Sequence, residues 1–176
     1  MKNNLLLLAI PHIAIFIVPL NTWQLMLFYV ACMFLTFKLT SLIATKEVQW
    51  NSIFLYTTSW VGMSYVEFED KAQGLPKWKA GIISLLLGLI LFSFCIWNPE
   101  NSNRPLLVFI SMIFIFHFGL LDLNAQLWKF FGRNTKPIMN APWKAKTLAD
   151  FWGKRWNLAF RDAAHKCIYI PFKNKF

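Results

Sequence analysis

A short stretch near the C-terminal end of the sequence combines a side-chain amide with cations and tryptophans: Trp152, Lys154, Arg155, Trp156, Asn157 and Arg161. An amide can donate a hydrogen bond to a developing oxyanion or orient a substrate group. Ammonium and guanidinium groups bind phosphates, and tryptophans favour the boundary between membrane and water. The stretch therefore predicts either a site for a lipid-like, anionic substrate or a basic anchor at a membrane surface. Composition alone favours the anchor, but an anchor gains nothing from Asn157.

The spacing of residues predicts that this stretch begins an amphipathic helix. Thr147 followed by Asp150 has the form of a capping box. An apolar stripe recurs every three or four residues, through Leu148, Trp152, Trp156, Ala159, Ala163 and Cys167. A polar stripe lies opposite, through Asp150, Lys154, Asn157, Arg161 and His165. We expect Pro171 to end the helix, and we expect the helix to lie in the membrane interface.

A second group of polar residues lies inside or just after a strongly apolar stretch. His117 and Asn124 are seven residues apart, so they would share a face of an α-helix. Ionisable groups within a span are costly and usually face a bundle interior or a water-filled cavity. Two interpretations remain open. The first is structural, either a polar contact that joins helices or a helix end that emerges into the headgroups, and the second is an intramembrane functional site of His117 and Asn124. The first is the stronger, above all for Asp122 and Gln126.

The elements that must position these residues are membrane helices. Four apolar stretches are long enough, or nearly so, to cross a bilayer: residues 5–20, 23–37 with an extension to 43, 80–97 and 106–121. The stretch 53–66 is shorter, which favours a re-entrant or interfacial segment. The predicted fold class is an all-α, polytopic membrane protein with about four spans, this extra segment and a C-terminal basic amphipathic interfacial helix.

The net charge of +10 is concentrated at one end of the chain. Residues 1–128 form the predicted transmembrane region, and residues 129–176 form a basic, aromatic interfacial segment of the same domain. The connection 38–79 also holds five lysines, among them Lys38. Because basic connections favour the cytoplasmic side, four spans would place both termini in the cytoplasm. Membrane lipids, not nucleic acid, are the predicted partners of the basic segment.

The three cysteines are isolated and lack the spacing of metal ligands, so we expect neither a metal site nor a disulfide framework. No cofactor is predicted.

Residues 151–157, Phe-Trp-Gly-Lys-Arg-Trp-Asn, resemble the signature of the wax-synthase-like branch of the membrane-bound O-acyltransferases. Residues 137–150 resemble the sequence that precedes this signature. Weaker matches occur at residues 55–63 and at His117-Phe-Gly119 with Asp122. The resemblance extends from about residue 53 to the end of the sequence and covers the N-terminal and central parts of the family. Lys154 stands where arginine is more usual, which keeps the charge but loses the planar fork.

The resemblance implies transfer of a fatty acyl group from acyl-CoA, as a substrate, to the hydroxyl of a long-chain alcohol. In that family a membrane-embedded histidine acts as general base beside the asparagine of the Trp-Asn dipeptide. This assigns Asn157 to orientation of the acceptor or stabilisation of the oxyanion. Because of their charges and aromatic rings, five nearby residues are candidates for binding acyl-CoA or lipid: Trp152, Lys154, Arg155, Trp156 and Arg161.

The family's catalytic histidine lies in a later span, and no sequence after Pro171 is long enough to form one. His165 and His12 do not match its position, and His117 belongs to an upstream motif. Two interpretations follow. The chain is either the N-terminal part of an enzyme completed by a separate C-terminal half, or a truncated, non-catalytic relative that binds lipid or acyl-CoA. The sequence leaves open whether this chain alone is an enzyme.

Overall fold

The computed structural model describes residue 13, residues 21–45 and residues 47–173, and these residues are mostly helical. Within them there is no strand, only an isolated antiparallel bridge between Lys71 and Arg133. The chain divides into two compact units. The first unit contains residues 1–59, 63–68 and 159–176, and the second contains residues 60–62 and 69–158.

The described residues form seven helices and a short 3₁₀ turn, Pro142–Lys144. The helices are α1 (Thr22–Ile43), α2 (Trp50–Thr58), α3 (Tyr65–Glu69), α4 (Trp78–Trp97), α5 (Arg104–Phe130), α6 (148–155) and α7 (158–173). Three of them, α1, α4 and α5, are long and apolar enough to cross a membrane. This confirms an all-α, integral membrane protein. The predicted span at residues 5–20 lies outside the described residues.

The segment predicted not to cross the membrane forms two short helices. Helix α2 has 9 residues and α3 has 5, whereas a span needs about 20 residues. Neither helix can cross a bilayer by itself.

In the first unit, Lys38 holds α2 to α1. Its side chain is fully buried, its Nζ donates a hydrogen bond to the Tyr56 carbonyl oxygen at 2.8 Å, and it lies 3.8 Å from the centroid of the Tyr56 ring. A buried amino group needs such partners. The predicted extension of this span to residue 43 is confirmed, so Lys38 lies in α1 and not in the basic connection to which it was also assigned.

In the second unit, two glycines let α4 and α5 pack closely. A Cβ built on Gly88 would lie 2.8 Å from the backbone nitrogen of Ile115, and a Cβ on Gly119 would lie 3.1 Å from the Leu85 Cα. Small residues allow such close approach of backbones between membrane helices. The connection between the two helices is only six residues long, so they form an antiparallel hairpin.

Polar contacts fix the end of this hairpin where α4 begins and α5 ends. The buried Gln126 side chain accepts a hydrogen bond from the backbone N–H of Lys77 at 2.7 Å. After α5, Thr135 Oγ1 donates to the Ala125 carbonyl oxygen at 2.6 Å, and Arg133 forms an ion pair of 3.0 Å with Glu69. The interpretation of Gln126 as a contact that joins helices is confirmed.

The prediction of one continuous amphipathic helix after Thr147 was wrong. Helix α6 ends at Arg155, Trp156 is extended, and Asn157 has a φ of 43°, in the left-handed region. Asparagine tolerates this region better than most residues. The peptide groups beside the break bond to a preceding loop instead: Leu158 N–H donates to the Ile138 carbonyl oxygen at 2.8 Å. The two predicted stripes therefore do not continue across residue 157.

The expected end of the helix at Pro171 was also wrong, since α7 continues through Pro171 to Lys173. The turn before it, His165–Tyr169, is π-helical. A proline disrupts the i to i−4 bonding of an α-helix, and a π-helical turn already departs from that pattern.

We predict that Gly88→Ala lowers the stability of the helical hairpin. Overpacking costs about 1–3 kcal/mol, whereas the better helix propensity of alanine returns at most about 1 kcal/mol. Thermal unfolding in detergent micelles would measure the difference. Gly153→Ala is the matched control, because the added Cβ would meet no described atom within 4 Å beyond its own chain neighbours and helix backbone. Equal stability of the two variants would contradict the close packing at Gly88.

Candidate functional site

The candidate site lies in the second unit, where part of α5 is wound as a π-helix and not as an α-helix. Residues Ile113–Leu120, which include His117, form a π-helical turn near the middle of this 27-residue span. π-helical turns are rare and occur frequently at functional sites. His117 in this turn and Asp122, two residues after it, line the same cavity. Asn124, which the α-helical repeat paired with His117, is not among the residues that line this cavity.

The cavity has a volume of about 160 Å³ and three parts of the chain form its wall. Helix α4 contributes small side chains, and α5 contributes the two ionisable ones. The loop after α5 closes the remaining side. The lining residues are Ala80, Ser84, His117, Phe118, Asp122, Met139, Ala141 and Trp143.

Two buried polar atoms distinguish this cavity from an ordinary gap between apolar helices. His117 Nδ1 and Asp122 Oδ2 are inaccessible to solvent, and neither atom has a hydrogen-bond partner of good distance and angle among the described residues. The Gln126 side chain and the Gly81 backbone still lie close enough to interact with the Asp122 carboxyl group. Buried polar atoms are nearly always hydrogen-bonded, so each exception calls for an explanation. Asp122 Oδ2 also lies close to Gly81, 2.7 Å from the position of an added Cβ, so the carboxylate sits where α5 meets α4.

The Trp-Asn dipeptide predicted to carry chemistry lies beside this cavity. The Trp156 indole stacks on the His117 imidazole with ring centroids 5.4 Å apart and an interplanar angle of 23°. Trp156 also stacks with Phe151, and Phe118 meets Trp156 edge-on. Through these contacts the C-terminal motif packs against the middle of α5.

Asn157 is placed by its backbone as well as by its neighbour. Its N–H donates to the sulfur of Met139 at 3.4 Å, and Met139 lines the cavity. The left-handed conformation at Asn157 lets the chain leave α6 and turn at this point. The asparagine therefore has a conformational role in addition to any role of its amide.

Hydrogen bonds among four residues stabilise the start of α6. Thr147 Oγ1 accepts a hydrogen bond from the Asp150 N–H at 3.0 Å, which confirms the predicted cap. Asp150 Oδ2 accepts from Arg155 Nε at 2.8 Å and from the Lys146 N–H at 3.2 Å. The Arg155 hydrogen bond is the main reason why the pKa of Asp150 lies below its usual value, and the Lys146 N–H adds to the effect.

The cationic candidates occupy different surroundings. Arg155 is half-buried and also donates to the Ala141 carbonyl oxygen at 3.4 Å, so its guanidinium supports the loop. Lys154 and Trp152 are exposed. Arg161 belongs to the first unit, where it forms an ion pair with Asp162. The structure thus brings together His117, Trp156 and Asn157, and it leaves Arg161 in the other unit.

Sequence reasoning missed three features of this site. Asp122 was interpreted as a structural residue, because nothing in the sequence reveals a π-helical turn. Met139 and Trp143 were not candidates, although they lie in the 137–150 segment that resembles the family. Among the described residues, no group of three His, Cys, Asp or Glu side chains could hold a metal ion.

Comparison with known proteins relates the chain to one enzyme family. Residues 135–176 match the family described as the membrane bound O-acyl transferase family. Probable long-chain-alcohol O-fatty-acyltransferase 8 of Arabidopsis thaliana is 31% identical over 108 residues, which cover 57% of this chain and 30% of the relative. The long-chain-alcohol O-fatty-acyltransferase of Simmondsia chinensis is 36% identical over 70 residues, which cover 36% of this chain and 20% of that protein.

A third relative, probable long-chain-alcohol O-fatty-acyltransferase 1 of Arabidopsis thaliana, is 26% identical over 58% of this chain. The chain spans about 30% of the length of this relative, as it does for the other Arabidopsis protein. No solved structure gives a significant match. The resemblance to the wax-synthase-like branch that the motifs predict is confirmed by these similarities.

We predict that the Asp150–Arg155 contact stabilises α6 near neutral pH and not in acid. Because the folded-state pKa of Asp150 is lowered, the contribution is complete above the unfolded pKa, which is about 4, and is lost as the pH falls through the folded pKa. Hydrogen exchange of the 148–155 amides, corrected for intrinsic rates, would measure it. Asp150→Asn should reduce protection at neutral pH and match the unsubstituted protein in acid. Asp70→Asn, at an exposed position, is the control. A difference that is independent of pH would contradict the assignment.

Proposed function

Starting from the relationship of this chain to the membrane bound O-acyl transferase family, we propose that it builds part of the active site of a membrane-embedded acyltransferase. The proposed reaction transfers a fatty acyl group from acyl-CoA to the hydroxyl of a long-chain alcohol. The names of the relatives support this substrate class. Because the matched residues span about 30% of the Arabidopsis relatives, the proposal concerns the part of the site that these residues build.

The observation that carries the proposal is the position of the Trp-Asn dipeptide against the middle of α5. Trp156 stacks on His117, and the Asn157 backbone contacts the wall of the cavity. In the reaction, the alcohol oxygen attacks the thioester carbonyl carbon, the alcohol proton passes to a base, and the coenzyme A thiolate leaves. A donor fixed beside the reacting carbonyl would stabilise the oxyanion as it forms. We assign this role, or the orientation of the alcohol, to Asn157.

The general base in this proposal is the histidine that the family places in a later span. We propose that this histidine is not one of the residues that build the site described above. The resemblance supports this assignment, and a positioned base contributes about 10²–10⁴-fold in rate.

Lys154 is the cation of the second unit best suited to bind the phosphates of acyl-CoA. Its side chain is exposed, whereas Arg155 already bonds to Asp150 and Ala141. The exposed Trp152 ring beside Lys154 would contact the acyl chain or the membrane interface. Basic residues that follow α5, together with Lys71 and Lys77 before α4, support a cytoplasmic position for both termini.

A second candidate function is lipid or acyl-CoA binding without catalysis. The observation that favours it is the number of large apolar side chains exposed around α6, among them Trp143 at 73%, Leu148 at 78% and Trp152 at 60%. Next to exposed lysines, such side chains are what an interfacial anchor presents to a membrane. Ester formation distinguishes the two candidates.

We predict that Asn157→Gly folds like the unsubstituted protein but loses about 10²–10³-fold in ester formation. Glycine keeps the left-handed backbone at no steric cost and removes only the amide, whose loss from an oxyanion site has an effect of this size. Asn157→Ala should lose stability as well, because a left-handed alanine costs about 1–2 kcal/mol. The measurement is ester formation from labelled acyl-CoA and a long-chain alcohol in membranes.

The assay would use the chain alone and the chain expressed with the C-terminal part of the Simmondsia chinensis relative. Asn101→Gly, in the turn between α4 and α5, is the matched control and should leave activity unchanged. Full activity of Asn157→Gly would show that Asn157 serves the backbone turn alone. The absence of ester in every combination, with acyl-CoA still bound, would favour the non-catalytic candidate.

A further inference from the structure

We propose that the cavity between α4, α5 and residues 139–143 binds the hydroxyl end of a long-chain alcohol, with His117 and Asp122 as its polar partners. The inference rests on the proposed function, because it takes this alcohol to be the acyl acceptor of the proposed reaction. All the residues that line the cavity belong to the second unit.

The two polar atoms of the cavity match a hydroxyl group. Asp122 Oδ2 is a carboxylate oxygen that accepts a hydrogen bond, and His117 Nδ1 accepts or donates according to its tautomer. Both atoms are buried without a hydrogen-bond partner of good geometry among the described residues. The interactions of the Asp122 carboxyl group with Gln126 and the Gly81 backbone leave acceptor sites unused, because a carboxylate offers about four. A hydroxyl both donates and accepts, so a single oxygen can satisfy the two atoms together. Filling both bonds would remove the cost of leaving buried polar groups unpaired.

The same chemistry excludes the other lipid groups of the reaction. A thioester carbonyl only accepts hydrogen bonds and leaves the Asp122 carboxylate without a donor. A fatty acid carboxylate or a phosphate would bring a second negative charge against Asp122 in a region of low dielectric. A hydrocarbon end would fill the space and leave both polar atoms unpaired.

The size of the cavity limits how much of the alcohol it can hold. A volume of about 160 Å³ is close to that of an engineered cavity of about 150 Å³ that binds benzene. It therefore holds the hydroxyl and the first few carbons, and the rest of a long chain must lie outside. The remaining wall suits this occupant, since Phe118, Met139 and Ala141 are apolar.

The stacking of Trp156 on His117 relates an alcohol bound in this cavity to the residues proposed to act in the reaction. His117 would contact the alcohol on the side that lines the cavity. The face of its imidazole ring stacks on the Trp156 indole. An alcohol bound here would present its oxygen near the chain segment that carries Asn157. His117 and Asp122 thus position the acceptor, and the family's histidine remains the proposed base.

The test is photo-crosslinking of the full chain in membranes, without acyl-CoA, by a long-chain alcohol with a diazirine next to its hydroxyl-bearing carbons. We expect adducts on Met139 or Trp143, suppressed by excess hexadecanol and not by hexadecane or palmitate. Asp122→Asn and His117→Phe should each reduce these adducts about tenfold. Ser84→Leu, which fills the cavity and leaves both polar groups in place, should do the same.

Asp70→Asn and His165→Phe are the matched controls, because they make the same exchanges at exposed positions; labelling should be unchanged. Equal suppression by hexadecane, or adducts that persist in Ser84→Leu, would overturn the proposal. The binding test stands apart from catalysis. Specific adducts, with no ester formed even when the C-terminal part of the Simmondsia chinensis relative is present, would support the cavity site and refute the proposed function. Ester formation without adducts in the cavity would do the reverse.

Discussion

The contact between the Trp156 indole and the His117 imidazole connects the C-terminal motif to the middle of a membrane helix. Without it, the residues after Thr147 would form a basic segment at the membrane surface, as their composition suggests. Gly88 and Gly119 allow α4 and α5 to pack closely on either side of His117 in the sequence. The cavity at the middle of α5 and the C-terminal motif therefore form one cluster of side chains.

The sequence was most informative where a single local property decides the structure. Long apolar runs predicted α1, α4 and α5, because a bilayer requires about 20 such residues in a row. Thr147 predicted the cap of α6 through one hydrogen bond between near neighbours. The signature in residues 151–157 predicted the resemblance to the membrane bound O-acyl transferase family, and the comparisons confirm that resemblance. These predictions needed no knowledge of how distant parts of the chain pack.

The features that could not be predicted depend on contacts between distant residues. A stripe drawn at 3.6 residues per turn assumes an unbroken α-helix, so it missed the π-helical turn at His117 and paired that residue with Asn124. It also missed the break at Asn157, which is held by hydrogen bonds to the loop at Ile138 and Asn140. The extension of α1 past Lys38 was predicted, but not the partner of its side chain, since the Tyr56 carbonyl and ring come from 18 residues away. In each case tertiary packing decided the local conformation.

The central claim is that the Trp-Asn dipeptide packs on His117, and a double-mutant cycle on unfolding in detergent tests it most directly. His117→Ala, Trp156→Ala and the double variant should show a coupling of about 0.5–1.5 kcal/mol, as measured for stacked aromatic pairs. The same cycle between His117 and Trp97, an exposed residue at the far end of α4, should be additive. Additive effects of His117 and Trp156, within about 0.3–0.5 kcal/mol, would contradict the account.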